Sequence, residues 1–474
     1  MAVSQPPHTL SLSVEEMRRV GYRIIDRLID HTENLHERKV TYAVDRAELK
    51  RGLSEPPPEA GSDFESVLDS LEGTALANFM HVDHPRFFAY IPGPSNYVSV
   101  LADTLCAGLN IFAGTWLASA GPSQIELVVV DWLRQICGLP ESTGGLFVSG
   151  GSMANVTALA VARHVKLNDV NDGGVVYFSD QTHSSVMRGL RLLGFQADQM
   201  RSIETDDAFR MDVRALRQAI AADRESGRRP FCIIANAGTT NTGAVDPLPE
   251  LADLCDEQDL WLHADGAYGA AAALCERGRA LLTGLERAHS VALDPHKWLF
   301  QPFETGCVLV REQRWLGETF RITPDYLRDA HRTEPETNFC DYGVQLTRSA
   351  RALKVWMSVK VFGLGAFRQA VARGFELAEY AESVLRASGC WEIVTPAQLA
   401  IVSFRYAPAQ MSDEAAESVN SRLVDAIFRD GYAMISSTRL RGRTVLRFCT
   451  INPRTSEQDI ASTIDRIAQL AESA

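Results

Sequence analysis

From about residue 125, the chain alternates helical patterns with short apolar runs that lack polar alternation. These runs are residues 175–178, 231–235, 260–262, 290–293 and 306–310. Strands without a polar side are typical of a mostly parallel sheet that helices cover on both faces. The pattern therefore predicts an α/β domain whose ligands bind beyond the carboxyl ends of the strands.

The N-terminal region has the pattern of an amphipathic helix. Ser13 and Glu16 have the spacing of a capping box, and an apolar face follows at Met17, Val20, Ile24 and Leu28. A proline-rich patch at residues 52–63 then interrupts regular structure. Little nearby sequence can cover the apolar face, so we expect an arm that packs against a second subunit.

Three regions follow from these patterns. We expect an N-terminal helical arm and dimerisation segment at residues 1–96, a large domain at 97–352, and a small domain at 353–474. Residues 401–404 and 444–448 predict strands in the small domain. The polar stretch at residues 322–343 predicts a long loop, a type that is often functional within a compact domain.

Composition narrows the classes of partner. The 474 residues carry a net charge of −13 without any basic block, which argues against nucleic acid or an anionic membrane as the main partner. No apolar run is long enough to span a bilayer, and residues 1–13 lack the pattern of a secretory signal. Nine dispersed cysteines without zinc-type spacing predict reduced core thiols and no metal site. We therefore expect a cytoplasmic enzyme.

Polar residues follow four of the apolar runs. His183, Thr240, Asp265 and Lys297 each stand at or just beyond the end of a predicted strand. Asp265 and Lys297 are about 30 residues apart, the length of one strand–helix–strand unit. A buried lysine is a nucleophile for aldehydes, and an aspartate can pair with a pyridinium nitrogen. A lysine and an aspartate in these two roles are the main protein groups in pyridoxal phosphate (PLP) chemistry.

A glycine-rich turn offers a place for the phosphate. Residues 147–153 lead from a strand into a helix, where free N–H groups attract anions. Each feature alone also fits an ordinary role: a plain turn, a strand-end cap for Asp265, a surface charge for Lys297 or a structural histidine at 183. Their order and shared placement favour a cofactor site.

Five motifs then carry a family resemblance. The glycine turn, the Thr-His pair at 182–183, Gly-Thr-Thr at 238–240, HADGAY at 263–268 and PHKW at 295–298 occur in this order. In this the chain resembles the group II PLP-dependent decarboxylases, specifically the aromatic L-amino-acid decarboxylase branch. The likeness continues through residues 84–97, 131–140 and 446–449. It implies PLP fold type I (aspartate aminotransferase-like), with a mostly parallel seven-stranded central sheet, helices on both faces and a smaller C-terminal α+β domain. It also implies a homodimer with the active site near the subunit interface.

The resemblance assigns cofactor roles to particular residues. Lys297 is expected to bind PLP covalently, Asp265 to pair with the pyridine nitrogen, and His183 to stack on the ring. His296 is expected to border the cofactor, and Ala267 to pack near the opposite face of the ring.

Further roles concern the phosphate and the reacting carbon. Gly151 and Ser152 are expected to hold the phosphate, and Thr240 to contact the cofactor. Tyr326, within the polar loop, matches the family's catalytic tyrosine, which returns a proton to the substrate.

The substrate side rests on fewer signals. Tyr90, Pro92 and Phe112 are expected to border the substrate, and Gly114 to leave room for a ring as large as indole. Asp294 precedes the PHKW motif where animal enzymes often carry asparagine, which places an extra carboxylate near the cofactor. We expect Arg447 to support the small domain.

The predicted reaction is decarboxylation of tryptophan, tyrosine, phenylalanine or DOPA to the arylalkylamine. One alternative is decarboxylation with oxidative deamination to an aldehyde, which in this family goes with loss of the loop tyrosine. Another is a non-aromatic substrate such as glutamate or diaminobutyrate, but an acidic substrate favours a basic residue near Phe112, and that segment has none. A third is a catalytically inactive binding protein, which the intact Lys297, Asp265 and His183 disfavour.

Overall fold

Two β-sheets organise the chain in the computed structural model, which describes residues 10–322 and 336–473. The strands of the larger sheet are β1 (Gly144–Val148), β2 (Gly174–Ser179), β3 (Met200–Ile203), β4 (Arg229–Asn236), β5 (Trp261–Asp265), β6 (Ser290–Leu293) and β7 (Gly306–Val310). They lie in the order β1-β7-β6-β5-β4-β2-β3. Strand β7 is antiparallel to both of its neighbours, and every other pair is parallel. The predicted mostly parallel seven-stranded sheet is confirmed.

Burial on both faces explains why the strands lack polar alternation. In β2, Val175 and Tyr177 belong to the hydrophobic cluster on one face of the sheet. Val176 and Phe178, which point the other way, belong to the cluster on the opposite face. All five apolar runs named from the sequence lie in strands of this sheet.

Helices supply the cover on each face. Those that precede the small domain are α1 (Val14–Asn34), α2 (Arg46–Leu53), α3 (Phe64–Gly73), α4 (Tyr97–Gly108), α5 (Trp116–Ile136), α6 (Gly151–Leu167), α7 (Ser184–Leu192), α8 (Val213–Glu225), α9 (Leu248–Gln258), α10 (Glu276–Leu281) and α11 (Gln313–Phe320). Helices α5, α8 and α9 pack on one face, and α6, α7 and α11 pack on the other.

The C-terminal part is built on a second, antiparallel sheet. Its strands are β8 (Trp391–Gln398), β9 (Ile401–Tyr406), β10 (Ser436–Leu440) and β11 (Arg443–Cys449), in the order β10-β11-β9-β8. Its helices are α12 (Ala352–Ser388), α13 (Asp413–Asp430) and α14 (Glu457–Glu472). This confirms the smaller C-terminal α+β domain. The boundaries at 96/97 and 352/353 stay predictions; the second falls in the first turn of α12, which contacts both α4 and β8.

The N-terminal helix is capped as predicted, but its apolar side is uncovered. Glu16 accepts a hydrogen bond from the Ser13 backbone N–H, and the Ser13 hydroxyl accepts one from the Glu16 N–H. No residue of α1 is buried, and Met17 and Ile24 are 52% and 37% exposed. The single subunit therefore leaves an apolar helix face open to solvent.

The predicted loop at 322–343 extends too far at its C-terminal end. Phe339 and Cys340 are buried, and the Cys340 N–H donates to the Gly114 carbonyl at 2.9 Å. The Asn338 side chain also accepts a hydrogen bond from the Trp116 N–H. A single packed turn is too short to produce a periodic pattern, so the sequence does not reveal it. Tyr326 lies outside the described residues.

The cysteines agree with the prediction of reduced core thiols. All nine are free, and eight of them are buried. Burial raises the pKa of Cys137 to about 12 and that of Cys340 to about 11, which keeps these thiols protonated. Among the helices of the described ranges, none has the length and apolar character needed to cross a bilayer.

Candidate active site

The carboxyl ends of four neighbouring parallel strands meet at one edge of the large sheet. His183 follows β2, Thr240 follows β4, Asp265 ends β5, and Lys297 follows β6. All four line one cavity of about 300 Å³. The structure thus brings together four residues that are scattered over more than a hundred positions of sequence.

The other residues expected around a cofactor share the same cavity. Gly151, Ser152, Ala267 and His296 also line it, whereas Tyr90, Pro92 and Phe112 do not. The lining also includes four residues of the sequence motifs to which no individual role was assigned: Ser149, Gly150, Gly238 and Tyr268. Three further lining residues were not named from the sequence: Ser185, Asn236 and Glu304.

The glycine turn presents the start of a helix to this cavity. Helix α6 begins at Gly151 directly after β1, and its N-cap residue Gly150 provides no side-chain cap. A Cβ atom on Gly151 would lie 2.8 Å from Asp294 Oδ2 and 3.1 Å from Ala267 Cβ. Only glycine fits here, and the uncapped helix start suits a bound anion.

Lys297 is paired with the carboxylate that precedes its motif. Its Nζ lies 3.0 Å from Asp294 Oδ2, and Asp294 is only 2% exposed. The other oxygen, Asp294 Oδ1, is buried without a hydrogen-bond partner among the described residues. The extra carboxylate noted in the sequence therefore contacts the lysine directly and adjoins the glycine turn.

Asp265 is held in place by Asn155, which sequence reasoning missed. Asn155 Nδ2 donates to Asp265 Oδ2 at 3.0 Å, and the Ala267 N–H donates to Asp265 Oδ1 at 3.1 Å. Asn155 is fully buried and also donates to Ser185 Oγ at 3.1 Å. The sequence did offer a signal for this role. Asn155 lies in a mostly apolar stretch of α6, and a buried amide needs hydrogen-bond partners.

A chain of donors fixes the orientation of that amide. Trp261 Nε1 can only donate, and it donates to Ser290 Oγ. Asn155 Nδ2 donates to the Asp265 carboxylate, so Asn155 Oδ1 accepts from His263 Nε2 at 2.9 Å, and Nδ1 of the neutral ring accepts from the Ser290 hydroxyl. Burial lowers the pKa of His263 to about 4, so the ring is neutral at neutral pH, as this chain requires.

The same series of hydrogen bonds extends to His183 through Ser185. The Ser185 N–H donates to His183 Nδ1 at 3.3 Å, and the Ser185 hydroxyl lies 2.8 Å from the same nitrogen. His183 Nδ1 is therefore the acceptor, and its proton resides on Nε2. Burial lowers the pKa of His183, partly opposed by the negative charge of Asp265. A neutral ring can stack on an aromatic cofactor without adding charge.

A buried ion pair connects the glycine turn to the segment that carries Phe112. The side chains of Arg348 and Glu126 are each 1% exposed, and both bind the backbone of Phe147, the penultimate residue of β1. Arg348 also donates to the Ala113 carbonyl at 2.7 Å. The same ion pair therefore holds both the strand before the glycine turn and the segment that carries Phe112.

The expectation that Gly114 leaves room for a substrate ring is wrong in this arrangement. A Cβ atom on Gly114 would lie 2.4 Å from Phe112 Cζ and 2.7 Å from the Leu346 carbonyl oxygen. The ring of Phe112 occupies that space, so the glycine accommodates Phe112. A sequence does not show which neighbouring side chain packs against a glycine.

Arg447 links the small sheet to Tyr90. Its Nη1 donates to the Tyr90 carbonyl at 2.6 Å and to Ser436 Oγ at 3.1 Å. Tyr90 itself is 58% exposed, whereas Pro92 is buried. These contacts agree with the supporting role expected for Arg447.

A lysine, a buried aspartate, a histidine and an uncapped glycine turn surround one cavity, and this combination is typical of a PLP-dependent enzyme. The donor set fits the cofactor: a carboxylate with an oriented amide for its pyridine nitrogen, and an amine for its aldehyde. The family model described as the pyridoxal-dependent decarboxylase conserved domain matches residues 47–407. The chain belongs to this family of PLP-dependent carboxy-lyases.

Individual relatives cover nearly the whole chain. An aromatic-L-amino-acid decarboxylase of Bacillus atrophaeus is 51% identical over 98% of this chain and 97% of its own length. A phenylacetaldehyde synthase of Arabidopsis thaliana is 30% identical over 94% of both chains. The crystal structure of Oryza sativa TDC with PLP and tryptamine matches with a TM-score of 0.93 and 28% identity, covering 98% of this chain and 99% of that one.

Replacing Asn155 with leucine should weaken PLP binding. The change leaves Asp265 Oδ2 and His263 Nε2 without their buried partner, and each such loss costs about 1–3 kcal/mol. The Kd for PLP, measured by titrating the apoenzyme and following cofactor absorbance, should rise by about tenfold or more.

Asn420→Leu is the matched control. Asn420 is also fully buried, but its partners are the backbone groups of Tyr406 and Ala416 in the small domain. This variant should lower the thermal midpoint and leave the Kd for PLP unchanged. Equal Kd values for Asn155→Leu and the unmodified enzyme would contradict the role given to Asn155.

Proposed function

We propose that this enzyme decarboxylates aromatic L-amino acids to arylalkylamines and carbon dioxide. The observation that carries the proposal is the convergence of Lys297, Asp265 and His183 on one cavity at the carboxyl edge of the sheet. The aromatic substrate class is supported by the relative that is 51% identical over almost the full chain.

Bound PLP supplies an electron sink for the pair of electrons released as the substrate carboxylate leaves. In this proposal the Lys297 amine would hold the cofactor through its aldehyde group. The negative charge of Asp265 keeps the pyridine nitrogen protonated, and Asn155 fixes the direction of that carboxylate. Removing such a preorganised electrostatic contact typically costs about 3–4 kcal/mol of transition-state stabilisation.

The remaining lining residues position the cofactor. His183, with its proton on Nε2, would stack against the cofactor ring, and Ala267 would pack near the opposite face. Gly151 and Ser152 hold the phosphate at the start of α6. Thr240 and His296 border the cofactor from neighbouring strand ends. Asp294 balances the charge of Lys297 until the lysine reacts with the aldehyde.

The substrate side is assigned to Tyr90, Pro92 and Phe112. Lys297 is the only lysine or arginine among the described residues that line the cavity. An acidic side chain, as in glutamate, thus has no arginine or second lysine to pair with there. The segment at residues 110–116, which carries Phe112, also contains no lysine or arginine, and both observations support an uncharged aromatic side chain over an acidic one.

We also propose a cytoplasmic homodimer. The exposed face of α1 forms a groove with Thr104 of α4, lined by Met17, Ile24 and Leu28. Phe112, before α5, and Leu117, in the first turn of α5, are exposed as well. A second subunit on these surfaces would cover the arm and bring the interface close to the substrate side of the site.

The proposal is tested by the products that the purified holoenzyme forms from a panel of L-amino acids. Mass spectrometry should detect the amine from one or more of tryptophan, tyrosine, phenylalanine and DOPA, and none from glutamate or diaminobutyrate. Amine from the acidic substrates alone would refute the argument from the cavity's charges.

A second candidate outcome is an aldehyde, because a phenylacetaldehyde synthase is among the relatives. Tyr326 favours the amine, since we assign it the return of a proton to the reacting carbon. In air-saturated buffer, Tyr326→Phe should therefore shift the product from amine towards aldehyde and ammonia, with dissolved O₂ as the oxidant that is reduced to hydrogen peroxide.

Tyr380→Phe, on the remote helix α12, should leave the amine as the product. Peroxide release, measured with a peroxidase-coupled indicator dye, reports the shift in both variants. An unchanged amine yield in Tyr326→Phe would remove the tyrosine from the mechanism, and aldehyde from the unmodified enzyme would make the second outcome the correct function.

A further inference from the structure

Two histidines and an aspartate from distant parts of the chain meet beside the N-terminal helix. His31 lies in the last turn of α1, and His81 and Asp83 lie in the segment between α3 and α4. Each offers one ligand atom, and these atoms lie within 4.8 Å of one another. None of the three lines the cofactor cavity. The cluster therefore has no part in the proposed reaction.

His81 contains a nitrogen that the described residues leave unsatisfied. The side chain is buried, with 3% of the residue exposed, and its Nδ1 has no hydrogen-bond partner among them. Buried polar atoms in folded proteins are nearly always paired with protein, water or an ion. The aromatic rings of Phe79 and Tyr42 stand edge-on to the imidazole and offer it no acceptor or donor of ordinary strength.

We propose that His31, His81 and Asp83 form a binding site for a divalent transition metal, for which Zn²⁺ is the best match. Zinc binds nitrogen and carboxylate oxygen in tetrahedral sites with bonds of about 2.1 Å, so its ligand atoms lie about 3.4 Å apart. His31 Nε2 and Asp83 Oδ2 already lie 3.3 Å apart. The third ligand has to move closer by about an ångström, and water completes the fourth position.

Neighbouring charges set the strength of the site. Arg38 acts on His81 and Arg454 acts on Asp83, and both oppose an additional positive charge. One carboxylate also neutralises only half of the charge of Zn²⁺. The site therefore binds more weakly than a closed site of four protein ligands.

The position of the site indicates what the metal does. It joins the C-terminal end of α1 to the segment that continues directly into residues 84–92, which include Tyr90 and Pro92. The metal thus fastens α1, which has no buried residue in a single subunit, to the segment that leads into residues 84–92. Its role is structural stabilisation.

Zinc titration of the untagged holoenzyme tests the site. Excess PLP and metal are removed first, and ZnCl₂ is then added in competition with a chromogenic zinc chelator. One equivalent of Zn²⁺ per chain should bind, and His31→Asn and Asp83→Asn should each raise the Kd by about tenfold or more. Both residues are half-buried, so these variants are expected to fold.

His164→Asn is the control, because it removes a partly exposed histidine–aspartate pair elsewhere on the surface. It should leave zinc binding unchanged. Zinc should also raise the thermal midpoint of the unmodified enzyme and of His164→Asn, but not that of the two site variants. The proposal is overturned if no stoichiometric binding occurs, if His31→Asn and Asp83→Asn bind as tightly as the unmodified enzyme, or if all three variants lose binding equally.

Discussion

The parallel packing of β2, β4, β5 and β6 is the constraint on which the rest of the site depends. Parallel strands direct their carboxyl ends to the same edge, so the four segments that follow them converge without any of them being long. Burial of both faces of the sheet then fixes the register of each strand. Asp265 and Lys297 occupy fixed positions because the strands that carry them are packed on both sides.

A second layer of buried polar groups refines this placement. Asn155 connects Asp265 and His183, the two residues assigned to the cofactor ring, through a chain in which each hydrogen bond dictates the next donor. In a low-dielectric interior such a network is costly when incomplete, and it strongly specifies one arrangement when complete. This series of hydrogen bonds thereby determines the orientation of the Asp265 carboxylate and the tautomer of His183. Arg348 and Glu126 hold the glycine turn in position in a similar way, because both bind the backbone of Phe147 just before it.

Sequence patterns were informative where a residue type has few alternative uses. Apolar runs without alternation predicted the buried sheet, and the residues that follow them predicted the cavity. The antiparallel direction of β7 was not readable, since a run buried on both faces looks the same in either direction. Strand β3 was missed because it lies at the edge of the sheet and contains Arg201 and Ser202. The ring of Phe112 over Gly114 and the meeting of His31 with His81 depend on packing that no local pattern records.

The central claim is that Lys297, at the end of β6, attaches the cofactor. Borohydride reduction of the holoenzyme, followed by proteolysis and peptide mass mapping, tests it most directly, because reduction makes the link between PLP and its lysine permanent. The account predicts a pyridoxyl group on the peptide that contains Lys297 and on no other. A label on a different lysine, or no label on an enzyme that retains activity, would contradict it.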